Sequence, residues 1–481
     1  MFQRYNMDED QQRAVDLALS GKSFFLTGAG GTGKSYTIRL IIEALNKDNR
    51  DVSLTAMTGC AALLLGRGAK TLHSWAGIGL GKEPIDTILQ KLRKSFKAKK
   101  GWQSADTLII DEVSMMTPDL FDKLDVIGRS ILRTDKPFGG IQIIAVGDMY
   151  QLPPVNKENN GSFFVFESQT WKEVMKDAVV LQKIHRQSDP VFLKILDEAR
   201  AGKLSQESIQ ILDKRKTNEW KKLEIKPTLL FTKRADVDQI NIAQLQKCEG
   251  EDRVFRARTN RTQKYLVSHT VDQVTEYAVD KMDKSGAYVP ELTLRKGAQV
   301  MLLSNKYIDF GLVNGSRGVV EGFTDGLAKY PMVKFKNGEV LTIDPHTWAS
   351  EEVEGLERQQ IPLRLAYAIT IHKAQGATLD CALIDIGKNT FEYGQAYVAL
   401  SRVKSLDSLY IWDLDPSAFR VHPKVEAFLN AVQEMDTTAV VPDPSSVDTI
   451  QGLPALRTSN HNTRMSAPCT TVSALESDDP S

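Results

Sequence analysis

At 481 residues, 42% of them hydrophobic and 25% charged, the chain exceeds the usual single-domain size and has the balance of a soluble globular protein with two or more cores. Lysine plus arginine equals aspartate plus glutamate at 61 each, so bulk charge points to no polyanionic partner, and any nucleic-acid contact must come from local patches. No apolar run approaches the roughly 18 residues of a membrane span, Met1 to Asp10 lacks the apolar centre of an export signal, and Cys60, Cys248, Cys381 and Cys469 have neither zinc-ligand spacing nor the density of a disulfide scaffold.

The first half alternates short apolar strands with helical patterns. Phe24-Phe25-Leu26 precedes a helix from Lys34, and Val52 to Leu54, Leu108 to Ile110 and Ile141 to Val146 follow, the rhythm of a parallel α/β sheet. Between the first strand and its helix lies Gly28-Ala29-Gly30-Gly31-Thr32-Gly33-Lys34-Ser35. This matches the phosphate-binding loop in the context that confirms it, strand before and helix after. Its glycines let backbone amides wrap phosphates, Lys34 reaches the terminal phosphates, and Ser35 ligates magnesium. The strand Leu108 to Ile110 ends in Asp111-Glu112. Such an ending alone is a weak signal, but with the upstream loop it supplies Asp111 for the metal through water and Glu112 to orient and deprotonate an attacking water, a hydrolytic arrangement.

Between these strings, Lys91 to Lys100 (KLRKSFKAKK) is the one dense basic run. A solvated helix face is the commoner reading of such runs. Here Phe96 and Trp102 interleave with the charges, as an element touching nucleic acid requires. Farther on, Thr228 to Phe231, Ala366 to Ile369 and Ala382 to Ile384 suggest a second α/β core, interrupted by short strands at Gln299 to Leu303, Gly318 to Gly322 and Val333 to Ile343 with a hairpin signal at Asn337-Gly338. From about Asp436 the chain is rich in Ser, Thr, Pro and Asp and reads as a disordered tail.

After the strand ending at Val146 comes Gly147-Asp148-Met149-Tyr150-Gln151-Leu152-Pro153-Pro154. With this string the chain resembles superfamily 1 helicases, and among them the 5′-to-3′ branch (superfamily 1B) holding the petite-integration-frequency (PIF) type and its RecD- and Dda-like relations. The likeness runs over roughly residues 7 to 430. It is carried further by Asp10-Gln11-Gln12, by Thr55 to Ala62 (TAMTGCAA), by Thr71 to Gly79 (TLHSWAGIG), by His185-Arg186-Gln187, by Ile371 to Thr378 (IHKAQGAT) and by Tyr397 to Arg402 (YVALSR). One departure is Gly28-Ala29-Gly30 where the family more often has Gly-Ser-Ala; small residues are kept.

The resemblance implies ATP and Mg2+ as cofactors, with Gln11 reading the adenine edge, Gln151 and Arg186 reaching the γ-phosphate and Arg402 acting as an arginine finger. It places Thr58, His73, His372 and Lys373 along the DNA strand, hydroxyl or amine to phosphate and ring to base. It also implies a strand-separating hairpin pin within Gly81 to Ala105, with Phe96 or Trp102 as wedge.

The expected fold is α/β: a RecA-like domain over residues 1–186 with a pin insertion at about 81–105, a second RecA-like domain over 187–298 and 361–435, an SH3-like β-barrel at 299–360, and the tail 436–481. The expected activity is ATP-dependent 5′-to-3′ translocation on single-stranded DNA with unwinding of duplex or structured DNA. Partners would be single strands and their junctions with duplex, with R-loops or G-quadruplexes as candidate substrates, and the motor a monomer. It would work inside the cell, in nucleus or cytoplasm, neither secreted nor on a membrane. One rival is an ATPase that translocates without strong unwinding or acts on RNA. Another, a non-catalytic nucleotide-dependent DNA-binding subunit, predicts loss of Glu112, Gln151 or the arginine finger, and all three are present.

Overall fold

A computed structural model describes residues 7–438 except 67, 80, 95, 155–162, 264, 266–271, 285–287, 327–328, 351–352 and 354. Six strands, β1 (Phe24–Gly28), β2 (Val52–Ala56), β3 (Lys70–Thr71), β4 (Thr107–Asp111), β5 (Gln142–Gly147) and β6 (Asp177–Leu181), form one sheet in the order β3-β2-β4-β5-β1-β6. All its pairings are parallel. The three central strands β4, β5 and β1 are buried along their whole length, which is why they read as unbroken apolar runs.

The second sheet has the order β18-β7-β19-β20, from β7 (Thr228–Phe231), β18 (Ala368–Thr370), β19 (Ala382–Ile386) and β20 (Leu409–Leu414), again parallel throughout. Between β7 and β18 an antiparallel region is inserted. β11 (Gln299–Leu302), β12 (Arg317–Phe323), β13 (Pro331–Phe335), β14 (Val340–Thr342) and β17 (Leu363–Leu365) form a five-stranded sheet. The Asn337-Gly338 signal turns β13 into β14, with Gly338 at φ +94 as such turns require.

Two boundaries differ from the sequence expectation. The insertion starts near Arg253 rather than at 299, because β8 (Arg253–Arg256) pairs with β10 (Glu291–Leu294), and β9 (Arg258–Arg261) pairs with β16 (Leu356–Gln360), itself joined to β15 (His346–Ala349). The strands RVFR and RTNR are too polar to announce themselves. The last helix, Pro423–Thr438, packs against β6 of the first sheet rather than on the second. Its Val425, Leu429 and Val432 recur on one helical face and join the first core, each contributing on the order of 1.5–3 kcal/mol. Phe428 stacks on Phe166 at 4.2 Å, and Asp436 pairs with Arg13 at 2.5 Å. Asp436, the first residue of the expected tail, is thus helical; from 439 on the tail lies outside the described residues. No helix among the described residues is long and apolar enough to cross a membrane.

Candidate functional site

Three loops leave the first sheet side by side. Thr27 lies opposite Gly147, and Ile110 opposite Ala145, so the glycine-rich loop, the Asp111-Glu112 pair and Asp148 emerge together at the carboxyl ends of adjacent strands. That edge is where open parallel sheets hold ligands.

In the loop, Gly31 (φ +97) and Gly33 (φ +87) hold left-handed backbone, and a Cβ on Gly31 would come within 2.7 Å of Arg186 Cβ. Gly33 caps the helix Lys34–Lys47, placing Ser35 exposed in its first turn. Lys34 Nζ donates to the carbonyls of Gly28 at 2.8 Å and Ala29 at 3.1 Å. Thr32 Oγ1 donates to Ala29 as well. Burial pushes the Lys34 ammonium below its usual range, against the pull of Asp148, Glu112 and Asp111. Gln11 is buried at the start of the first helix, in a capping box with Asp8, and its Nε2 lies 3.5 Å from where a Gly33 Cβ would stand.

Asp111 is pushed up to about 7, first by burial and then by the neighbouring Glu112. Glu112 sits at φ 55, ψ 40, a left-handed conformation that costs a non-glycine residue about 1 kcal/mol or more. Its amide donates to Asp111 Oδ1 at 2.9 Å. Gln151 is buried beside this edge, and its Oε1 has no hydrogen-bond partner among the described residues.

The second core supplies the other wall. At the boundary between the two cores, the amides of His185 and Arg186 both donate to the Gly31 carbonyl. Arg186 reaches across with Nη1 to the Ser401 carbonyl at 2.9 Å, and burial lowers its pKa. Arg402 is 1% exposed. Its guanidinium donates to Val398, Ala374 and Ala377 carbonyls and to Ser401 Oγ, so it is turned onto its own core. Burial, then the neighbouring Arg186, pushes it down to about 9.

Four side chains in this cleft were left without a role by the sequence reading. Tyr397 accepts from the Gly30 amide at 2.8 Å and donates to Asp148 at 3.2 Å. Arg200 pairs with Asp148 at 3.1 Å and lies over the Tyr150 ring. Gln375 Nε2 donates to Glu112 Oε2 at 2.9 Å. Asp148, Tyr397 and Gln375 stand inside the quoted strings, which was their only signal; Arg200 had none.

The candidate strand contacts divide. Thr58 caps the helix Gly59–Leu65, its Oγ1 accepting from Ala61 at 3.1 Å. His372 and Lys373 lie on the helix Ile371–Ala374, the first half-buried and the second exposed. The turn that follows the second of these helices comes close to the first, since a Cβ on Gly376 would lie 3.1 Å from Leu64 Cδ1. His73 is half-buried on the helix Leu72–Ala76, its pKa lowered first by burial and then by Lys281. Burial likewise lowers His372.

Trp102 is a correction. It is 0% exposed within the first core, its ring 4.7 Å from that of Trp75 and its Nε1 donating to the Ala76 carbonyl at 3.3 Å. A ring so enclosed, with its polar tip satisfied, is a structural anchor and not a wedge. Nor is the segment a hairpin: most of its described residues fall in the helices Ile85–Lys94 and Phe96–Ser104. The side chain of Phe96 lies outside the described residues.

A sequence profile of PIF1-like helicases matches residues 6–210, and one of the DNA helicase Pif1 2B domain matches residues 280–323. The chain is 38% identical over 424 residues to ATP-dependent DNA helicase PIF1 of Homo sapiens, covering 88% of this chain and 63% of that protein. It therefore spans less than two thirds of that relative. The crystal structure of Pif1 helicase from Candida albicans matches with TM-score 0.73 at 34% identity, over 89% of this chain and 100% of that one. Pif1 helicase from Bacteroides in complex with ADP-AlF3 and single-stranded DNA matches with TM-score 0.63 at 28% identity, over 89% and 98%.

Proposed function

The chain belongs to the PIF1-like helicase family, and from that membership we propose that it is an ATP-dependent DNA helicase moving 5′-to-3′ on single-stranded DNA. The observation that carries this reading is the shared cleft: Tyr397 and Gln375 reach the Gly28–Ser35 loop and Glu112 from the far side, and Arg186 at the boundary bonds Gly31 on one side and Ser401 on the other. ATP lies along the loop amides with Lys34 at its outer phosphates, and Gln11 meets the adenine. Glu112 orients and deprotonates the attacking water. Gln151, Arg186 and Arg402 bring donors and positive charge to the transferred phosphoryl group; for Arg402 this means giving up carbonyl bonds of its own core. Both halves of the site lie on one chain, so a monomer suffices.

The residues fit Mg2+. Ser35 and Asp111 offer hard oxygens, and the burial that pushes Asp111 up to about 7 beside Glu112 marks a pair of crowded carboxylates that a divalent cation relieves. When bound there, Mg2+ would neutralise negative charge on the nucleotide phosphates.

Single-stranded DNA runs across both cores along Thr58, His73, His372 and Lys373, gripped alternately as the cleft closes on ATP and reopens after hydrolysis. Junctions of single strand with duplex are the substrates, with R-loops and G-quadruplexes as candidate structures. A second reading, translocation with little unwinding, is favoured by one observation: the wedge candidate Trp102 is buried in the core.

The test is ATP-dependent opening of two labelled partial duplexes, one 5′-tailed and one 3′-tailed, with Lys34→Ala as control. Opening of the 5′-tailed duplex alone, lost in the variant, supports the helicase. DNA-stimulated hydrolysis with neither duplex opened supports the translocase, and an absence of hydrolysis overturns both.

A further inference from the structure

We propose that Gln375 is a positioning residue that restrains Glu112 until a strand binds the adjoining turn, making hydrolysis depend on DNA; this rests on the motor reading above. Gln375 closes the four-residue helix Ile371–Ala374. Its amide enters the cleft of the other core, where Nε2 donates to Glu112 Oε2 at 2.9 Å. Gln375 is 7% exposed, and its Oε1 has no hydrogen-bond partner among the described residues. A buried carbonyl oxygen left unpaired is unfavourable, and among the described residues the bond to Glu112 is the side chain's one hydrogen bond, so this pose is readily exchanged for one that pairs the carbonyl. Gly376 (φ +77) brings the same turn so close that a Cβ there would lie 3.6 Å from Glu112 Oε1. The turn thus bonds one carboxylate oxygen and passes beside the other.

A general base needs an open lone pair facing the attacking water. A charge-assisted bond donated by Gln375 occupies one oxygen and holds the carboxylate in a fixed orientation. The same turn carries the proposed strand contacts. Lys373 is exposed and His372 half-exposed, two and three residues before Gln375, and the turn is pinned at its start by Thr370 Oγ1 accepting the Lys373 amide at 3.3 Å. A strand that binds these side chains better in a displaced turn shifts the balance away from the Gln375–Glu112 bond.

The experiment is steady-state ATP hydrolysis by the full chain with and without saturating oligothymidylate, for the parent, Gln375→Ala and Gln375→Met, the last keeping length and bulk without a donor. In both variants the DNA-free kcat should rise about tenfold while the DNA-stimulated kcat and the KM for ATP stay within about twofold of the parent. A DNA-free rate that is unchanged or lower, or two rates falling together, overturns the proposal, and thermal midpoints near the parent's exclude misfolding as the cause. A parent chain that hydrolyses ATP equally with and without DNA would overturn the motor reading itself.

Discussion

The hydroxyl of Tyr397 accepts a hydrogen bond from the Gly30 amide at 2.8 Å across the cleft, occupying a backbone donor of the glycine-rich loop. The same hydroxyl donates to the buried Asp148 at 3.2 Å. Tyr397→Phe removes only this oxygen from a ring otherwise packed in the second core. The nucleotide-free chain should lose about 1–2 kcal/mol. Part of that loss should vanish with Mg-ADP, because phosphate oxygens then satisfy the loop. Melting curves with and without nucleotide check this, and an equal loss in both would show that the hydroxyl does not stand where phosphate binds.

Asp148 is 0% exposed and has Arg200 at 3.1 Å. Burial alone would raise its pKa, but Arg200 and Lys34 hold it below the usual carboxylate range. Arg200→Ala strands a buried charge and should destabilise by about 3–5 kcal/mol. Adding Asp148→Asn to it should recover much of the loss, a double-mutant cycle read by chemical denaturation. Additive losses would mean that the two residues do not act as a pair.

Much of the ATP site is legible in sequence because each part is a run of neighbours. Gly28 to Ser35, Asp111-Glu112 and Gly147 to Gln151 are local strings, and an all-parallel sheet places the ends of their strands together. What joins the parts is not local. Tyr397 and Asp148 stand 249 residues apart, and Gln375 and Glu112 stand 263 apart, so only the closed cleft shows that they meet. Trp102 misleads for a related reason. Aromatics among lysines look like a nucleic-acid face, and only the packing of Trp75 against the ring shows it turned inward. The last helix carries an ordinary apolar stripe, and nothing in the stripe says which core it covers.

That inward packing has its own consequence. Trp102→Ala should open a cavity and destabilise the first core by about 3–5 kcal/mol, while Trp102→Phe, which keeps most of the ring contact, should melt near the parent and retain its rate of duplex opening per ATP hydrolysed. A Trp102→Phe chain that folds and hydrolyses ATP normally yet opens no duplex would return this residue to the role of wedge.

At Asp111 stability and activity should run in opposite directions. With its pKa raised from 3.8 to about 7 by burial and by Glu112, the folded chain keeps a proton that the unfolded chain has already lost. Below about pH 4 both states are protonated and the group favours neither; as pH rises toward about 7 the folded state falls progressively behind, and above that the full penalty is present. Asp111→Asn removes a titrating group, so in the absence of nucleotide and magnesium it should stabilise the chain at about pH 8 by on the order of 2 kcal/mol, with the gain shrinking to little near pH 4. The same variant should lose ATP hydrolysis and gain less stability from Mg-ADP than the parent, because one metal carboxylate is gone while the loop and Lys34 remain. Thermal midpoints across this range decide it: a gain that does not change with pH would mean that Asp111 is not held protonated in the folded chain.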